Sequence, residues 1–191
     1  MYIPKAFLVS DNAVLHDFIE CNSFATLIST VDGEPFATHL PLIFDRTRSA
    51  HGALLGHVAR ANPQWRSFDG KQTALAIFHG PHAYVSPSWY ATSPAVPTWN
   101  YAAVHVYGVP QVVDDAAWLS DVVDRLIRIY EAGMPQPWPG ILPADYRSNL
   151  LKAIVGFVMD IDRIEGKFKL SQNRSAADQQ GVVRELETSA D

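Results

Sequence analysis

The sequence predicts a mainly β protein of the α+β class, in which a small antiparallel barrel of about six strands is flanked by helices. Short runs rich in β-branched and aromatic residues follow one another in quick succession, with turn signals between them. Of the 191 residues, 48% are hydrophobic, and nine Phe, seven Tyr and five Trp supply ample material for a core. No internal repeat is present.

The first half of the chain alternates helical and strand patterns. Ser10 is a suitable N-cap for a helix over about residues 11–21, which ends near Cys21, interpreted as a small core residue. Asp32-Gly33 marks a hairpin turn between the first two of the main strands. The predicted strands are Phe24 to Val31, Pro35 to Phe44, Ala53 to Val58, Thr73 to Phe78, Ala83 to Val85, Thr98 to Val106 (continuing towards Val113) and Gly156 to Ile164.

Helices are expected at four further places. Asn62 followed by Pro63 begins a short one, and Asp114 caps a long one with an apolar stripe. Pro143 begins another that continues to Ile154, and a polar helix follows Ala176. Residues 133–140 contain three prolines, which predicts either a stiff connector with Trp138 tucked into the core or a lid over a ligand. We expect a single domain over residues 1–185 and a short tail over 186–191.

Composition excludes several function classes. The net charge of −5 does not favour a nucleic-acid-binding face. A single cysteine permits no internal disulfide, and no signal peptide or span of about 20 apolar residues is evident, which favours the cytoplasm. Dinucleotide and P-loop glycine motifs are missing. His79 and His82 flank a Gly-Pro turn, but no third ligand is marked, so no metal is expected.

Three segments suggest a ligand with a flat ring and an anionic tail. Gly166 to Arg174 combines two lysines and an arginine with Ser-Gln-Asn, and fits either an anion site or a solvated loop. Gly56 to Pro63 leads a strand into a helix start beside Arg60, and fits either an anion seat or an exposed arginine above a structural His57. Ala83 to Tyr101 is dense in Trp, Tyr and hydroxyl residues, which suit ring stacking or ordinary strand packing.

In this order, these segments resemble the PaiB family of flavin-binding proteins. The matching runs are FATLIST, ATHLPL, GHVARANPQW, AIFHGPHAYVSPSWY, VPTWNYAAVHVYG, AIVGFVMDI and EGKFKLSQNR. They cover nearly all of residues 1–185, and residues 133–143 have no firm match. The resemblance implies a split β-barrel, a homodimer with FMN at the subunit interface, and a role as a negative regulator of transcription.

The resemblance also implies, by position, which residues hold the cofactor. The phosphate and ribityl group would lie at Thr38, His39, Leu40, His57, Val58, Arg60 and Asn62. The flavin ring would lie near Trp99, Asn100 and Tyr101, with Lys169, Ser171, Gln172 and Asn173 reaching in, from the same chain or from its partner. No residue demands the role of general acid or base, so the sequence leaves undecided whether the protein is an enzyme. Two other classes compete: a repressor that contacts DNA directly, and a split barrel that binds or degrades haem through a histidine.

Overall fold

The computed structural model describes residues 1–189, which form eight strands and four α-helices. The strands are β1 (Leu8–Val9), β2 (Phe24–Val31), β3 (Glu34–Pro41), β4 (Ile43–Asp45), β5 (Ala53–Ala59), β6 (Ala74–Val85), β7 (Thr98–Val112) and β8 (Ile154–Lys169). The helices are α1 (Asn12–Cys21), α2 (Ala116–Glu131), α3 (Ala144–Lys152) and α4 (Ala176–Thr188). Short 3₁₀ turns include Pro63–Ser67, after β5.

All strand pairs are antiparallel and follow the order β3-β2-β6-β7-β8-β5-β4, with β1 added beside β8. The two end strands of this path, β3 and β4, are separated along the chain only by Leu42. Pro41 pairs with Phe24 of β2, and Ile43 pairs with Leu55 of β5, so the bent β3–β4 segment joins the two ends. The predicted antiparallel barrel with flanking helices is therefore confirmed.

The core fills the barrel and extends outward beneath one helix. Inside, large side chains such as Leu27, Phe78 and Phe157 are fully buried, and Ile19 of α1 closes one end. Outside, Val122 of α2 packs in a second cluster against the β4–β5–β8 side. Alternating residues of a strand therefore serve two surfaces, as expected when helices cover part of a barrel.

The opposite end is closed by the 3₁₀ turn Pro63–Ser67. Gln64 is completely buried there, and its Nε2 donates to the carbonyl of Leu27 (3.1 Å), to Oγ of Ser29 (3.2 Å) and to the carbonyl of Phe36 (3.3 Å). Since a buried amide without acceptors is costly, these bonds hold the turn in the barrel mouth.

Two predicted caps are wrong by one residue. Asp11, not Ser10, caps α1, because its Oδ1 accepts from the N–H groups of Ala13 and Val14. Asp115, not Asp114, caps α2 in the same way.

Cys21 is exposed, which corrects its assignment to the core. The buried stripe of α1 includes Leu15 and Ile19, and a residue two positions beyond Ile19 faces the opposite side of a helix. Trp138 is 43% exposed and is not tucked into the core, since its backbone N–H is held at the surface by Oε2 of Glu131.

Other differences concern where elements begin and end. β6 is one strand instead of two, because the register shifts at a bulge between His79 and His82 without ending the strand. Ile154 begins β8 instead of ending α3, since it pairs with Ala59. The expected helix after Asn62 is only a 3₁₀ turn, although Asn62 is its cap as predicted. Among residues 1–189, no helix has the length and apolar character needed to cross a bilayer.

Candidate functional site

The barrel is split where β3 diverges from β5. Across this gap, Nδ2 of Asn62 donates to Oγ1 of Thr38 at 2.9 Å, and Oδ1 of Asn62 accepts from the N–H of Gln64. On the outer face beside the gap, Nδ1 of His39 lies 3.0 Å from Oγ1 of Thr26. Hydroxyl, amide and imidazole groups therefore lie at or beside the split, and their role as a phosphate site stays a prediction.

His57 is half-buried on the outer face of β5, because its neighbour Val58 belongs to the core inside the barrel. Its Nδ1 is fully buried and has no hydrogen-bond partner within residues 1–189. Burial lowers the pKa of His57, so the imidazole is neutral at pH 7. An orphaned, buried ring nitrogen is unfavourable unless a ligand or ordered water supplies a partner, and it therefore marks a candidate contact.

Arg60 faces the other side of the turn. Its Nε donates to the carbonyl of Lys152 (2.7 Å) and one Nη to the carbonyl of Ile154 (3.0 Å), which ties the turn after β5 to the start of β8. Its backbone N–H donates to the carbonyl of Ala153. A guanidinium has five N–H donors, so the remaining donors are available to a ligand. Arg60 also lines a cavity of about 640 Å³ between α2, α3 and the barrel, next to Trp65.

A second group of predicted residues lies where β6 and β7 extend beyond β2. The ring centroid of Trp99 is 5.9 Å from that of Tyr84 and 6.2 Å from that of His82. With Trp89 and Leu170, these rings line a cavity of about 760 Å³. Trp99 is 53% exposed, so its face is accessible to a planar ligand.

Polar residues border this aromatic cavity. Asn100 is buried, and its Oδ1 accepts from Oγ of Ser171 at 3.1 Å. Nζ of Lys169 donates to the carbonyl of Trp99 (2.8 Å) and also contacts Oγ1 of Thr98. Asn173 lines a small cavity together with Lys169. Gln172 instead bonds its own turn, through the N–H of Leu170 and the carbonyl of Phe168.

Three predicted residues offer less than expected as side-chain contacts. Leu40 is 4% exposed and Val58 is 3% exposed, and both belong to the barrel core, so only their backbone atoms could face a ligand. Tyr101 is half-buried on the outer face, with Nζ of Lys167 5.1 Å from its ring centroid.

The two predicted groups are far apart within one chain. Thr38 pairs with Leu27, and Leu27 pairs with Ala76 of β6. Trp99 pairs with Tyr84, eight residues further along β6. At about 3.3 Å per residue, the two groups are separated by roughly 25 Å along that strand.

Four neighbouring side chains are absent from the residues that the resemblance assigned to the cofactor, although Tyr84, Lys167 and Arg174 lie in segments that the sequence had marked for ring stacking or anion binding. His82 and Tyr84 complete the aromatic cavity, and Arg174 lines the separate small cavity beside Lys169. Lys167 is only 8% exposed, between Tyr2 and Tyr101. The pairing of β6 with β7 could have revealed His82 and Tyr84, because residues opposite each other on adjacent strands share a face.

The residues present fit a flavin mononucleotide. An accessible indole beside Asn100 and Ser171 suits the ring. The hydroxyl and amide at the split are groups that bind a phosphate, and the free donors of Arg60 lie on the other side of the adjoining turn. The fold and these residues define the class: a split barrel that binds a flavin.

Comparisons with known proteins agree. Residues 1–163 match the family model described as "Putative FMN-binding domain". Protease synthase and sporulation protein PAI 2 of Bacillus subtilis is 41% identical over 189 residues, which cover 98% of this chain and 89% of that protein. The chain belongs to this FMN-binding family.

Two solved structures share the fold. The flavocytochrome Anf3 of Azotobacter vinelandii aligns with a TM-score of 0.68 and 14% identity, over 87% of this chain and 72% of the other. The FAD and haem binding protein of Mycobacterium smegmatis aligns with a TM-score of 0.63 and 18% identity, over 85% and 73% of the two chains. The protein is accordingly an FMN-binding split barrel.

Proposed function

We propose that two copies of this chain form a homodimer and that FMN binds at the interface, shared between them. The separation of the two predicted groups is the observation that supports this most strongly. Roughly 25 Å along β6 is further than the short ribityl chain of FMN spans, which favours a site to which each of two chains contributes one group. A second copy, related by two-fold symmetry, can bring its Trp99 to the Thr38 side of the first.

In this arrangement, Thr38 and Asn62 bond the phosphate at the split, His57 borders it from the outer face of β5, and the charge of Arg60, on the other side of the turn, attracts it. Trp99 and Asn100 of the partner chain border the flavin ring, with Lys169 and Ser171 beside them. The outer face of the barrel supplies an interface surface, because Ile28 and Ile77 lie there only half-buried.

The flavin supplies redox chemistry when bound, and the protein orients it and limits the access of water. We propose a flavin-dependent redox role, with any regulation of transcription acting indirectly through the flavin or a protein partner. The helix α2 carries Arg125 and Arg128 but also Asp121 and Asp124, so its charge is mixed and does not favour direct DNA contact.

A heterodimer tests the shared site directly. Arg60→Ala damages the phosphate side and Trp99→Ala damages the ring side, and each homodimer should bind FMN poorly. When the two variants are co-expressed with different tags and the mixed dimer is isolated, one site has both of its halves intact. That heterodimer should bind a single FMN with nearly wild-type affinity. If it binds no better than either homodimer, the site lies within one chain and the proposal is wrong.

Haem is a second candidate ligand, because His82 lines the aromatic cavity and histidine is a common axial ligand. An absorption spectrum of the purified protein separates the two. Flavin bands that disappear on extraction of FMN support the first proposal, whereas a Soret band that is lost in His82→Ala supports haem.

A further inference from the structure

A small pocket next to the aromatic cavity is unusually rich in positive charge. It has a volume of about 110 Å³ and lies between residues 90–98 and the turn at residues 169–174. Its polar lining comprises Lys169, Arg174, Thr98, Asn100, Ser171 and Asn173, and none of its lining residues is acidic. In a chain of net charge −5, two cations without a carboxylate among them call for an explanation.

The walls of this Lys169–Arg174 pocket are fixed by internal bonds. Asn100 is 7% exposed and Ser171 is 5% exposed, and they bond each other. Ser171 has a φ of 63°, which is rare for a residue other than glycine, and its carbonyl accepts from the N–H of Arg174 at 2.9 Å. Such strain at a turn persists where the surroundings hold it, and it is typical of ligand sites.

The loop above the pocket is also anchored. Buried Asp178 accepts from the N–H of Thr92 (3.0 Å) and from its hydroxyl (2.8 Å). The negative charge of Asp178 is therefore directed to the loop, and Asp178 does not line the pocket. The side chains that line the pocket therefore include two cations and no carboxylate.

Both cations keep donors for a ligand. Lys169 has three N–H donors and uses two of them in hydrogen bonds to the carbonyl of Trp99 and the hydroxyl of Thr98. The guanidinium of Arg174 lies over the ring of Tyr90, 4.4 Å from its centroid, and forms no ion pair within the described part of the chain. Stacking on a ring face leaves the N–H edge of the guanidinium available for bidentate bonding to an oxyanion.

We propose that this pocket binds the phosphate group of a second ligand, which is the redox partner of the flavin. Asn100 lines both the pocket and the aromatic cavity, so an anion held by Lys169 and Arg174 would place the rest of its molecule beside the flavin ring. The identity of the ligand as the flavin's partner rests on the proposed function, whereas phosphate binding by the pocket does not. The substrate class is thus a phosphorylated compound.

Inorganic phosphate is the probe. Calorimetric titration of the FMN-saturated protein, at constant ionic strength, should show phosphate binding that is much stronger than acetate binding, since a dianion matches two cations. Arg174→Ala should weaken phosphate binding by about tenfold or more and leave FMN affinity unchanged. Arg184→Ala, an exposed arginine on α4, is the matched control and should bind phosphate as the wild type does.

Two outcomes overturn the proposal. If Arg174→Ala binds phosphate as tightly as the wild type, the pocket is not an anion site. If phosphate competes with FMN, and Arg174→Ala weakens FMN more than riboflavin, the pocket is the seat of FMN's own phosphate. If the protein binds no FMN at all, the proposed function fails, and titration of the flavin-free protein with phosphate still decides whether the pocket binds an anion.

Discussion

Asn62 and Thr38 are joined across the split of the barrel by a hydrogen bond of 2.9 Å from Nδ2 to Oγ1. Because Oδ1 of Asn62 also caps the turn Pro63–Ser67, one side chain fixes the distance between β3 and the segment that closes the barrel mouth. The predicted phosphate seat and the closure of the fold therefore depend on the same amide.

Asn62→Asp separates these two roles. An aspartate oxygen can still accept from the N–H of Gln64, so the cap and the thermal stability should be nearly retained. The donor to Thr38 is lost and a negative charge is added, so FMN affinity should fall by about tenfold or more, and riboflavin affinity should fall less. Fluorescence quenching on titration with each flavin measures the FMN affinity and the riboflavin affinity. Asn149→Asp on exposed α3 is the control, and equal losses for both flavins would argue against a phosphate seat at Asn62.

Arg60→Ala should weaken FMN binding more than riboflavin binding, because only FMN carries a phosphate. The substitution should also lower the melting temperature, since the bonds to the carbonyls of Lys152 and Ile154 are lost. Arg60→Lys keeps the charge and should recover part of the FMN affinity. If FMN and riboflavin weaken equally, Arg60 has only the structural role.

Alternation and turn chemistry were sufficient to predict most of the fold. β2 and β3 follow the strand pattern on either side of Asp32-Gly33, and Asp32 and Gly33 both adopt positive φ as such a turn requires. The bulge at His79 was not predictable from the local pattern, because Gly80-Pro81 fits a turn between two separate strands equally well. The exposure of Cys21 depends on which helical face packs on the barrel, which is a tertiary property.

For the candidate site, too, the sequence predicts the kinds of residue involved, whereas their arrangement depends on the tertiary structure. Local residue patterns and the family resemblance singled out Arg60, Trp99 and Lys169 as ligand-binding residues, but could not show that the donors of Arg60 are shared with two carbonyls. Nor could it show how far Thr38 lies from Trp99, since that separation is set by strand register. The sequence put Arg174 and Lys169 in one candidate anion stretch, but only the turn at Ser171 shows that the two side chains line the same pocket.

Gln64→Leu should destabilise the protein by about 2 kcal/mol or more, because the carbonyls of Leu27 and Phe36 lose a donor in a buried site. Urea denaturation measures the change in free energy of unfolding. Gln72→Leu, at an exposed position, is the matched control and should have little effect. An unchanged denaturation midpoint for Gln64→Leu would show that the turn Pro63–Ser67 is held by other contacts.

The stability of the protein should fall as the pH is lowered below neutrality. Burial lowers the pKa of His57 below its ordinary value of 6.5, so in the unfolded state this imidazole takes up a proton at a higher pH than in the native state. The free energy of unfolding therefore decreases from about pH 7 downward, until the pH falls below the native pKa and the loss stops. Urea midpoints at a series of pH values should show this decline, and His57→Gln should have a shallower one. The slope is reduced but not abolished, because burial also lowers the pKa of His105.

His51→Gln, at an exposed position, is the control and should follow the wild-type curve. If the His57→Gln curve runs parallel to the wild-type curve, His57 is protonated in the folded protein as readily as in the unfolded chain.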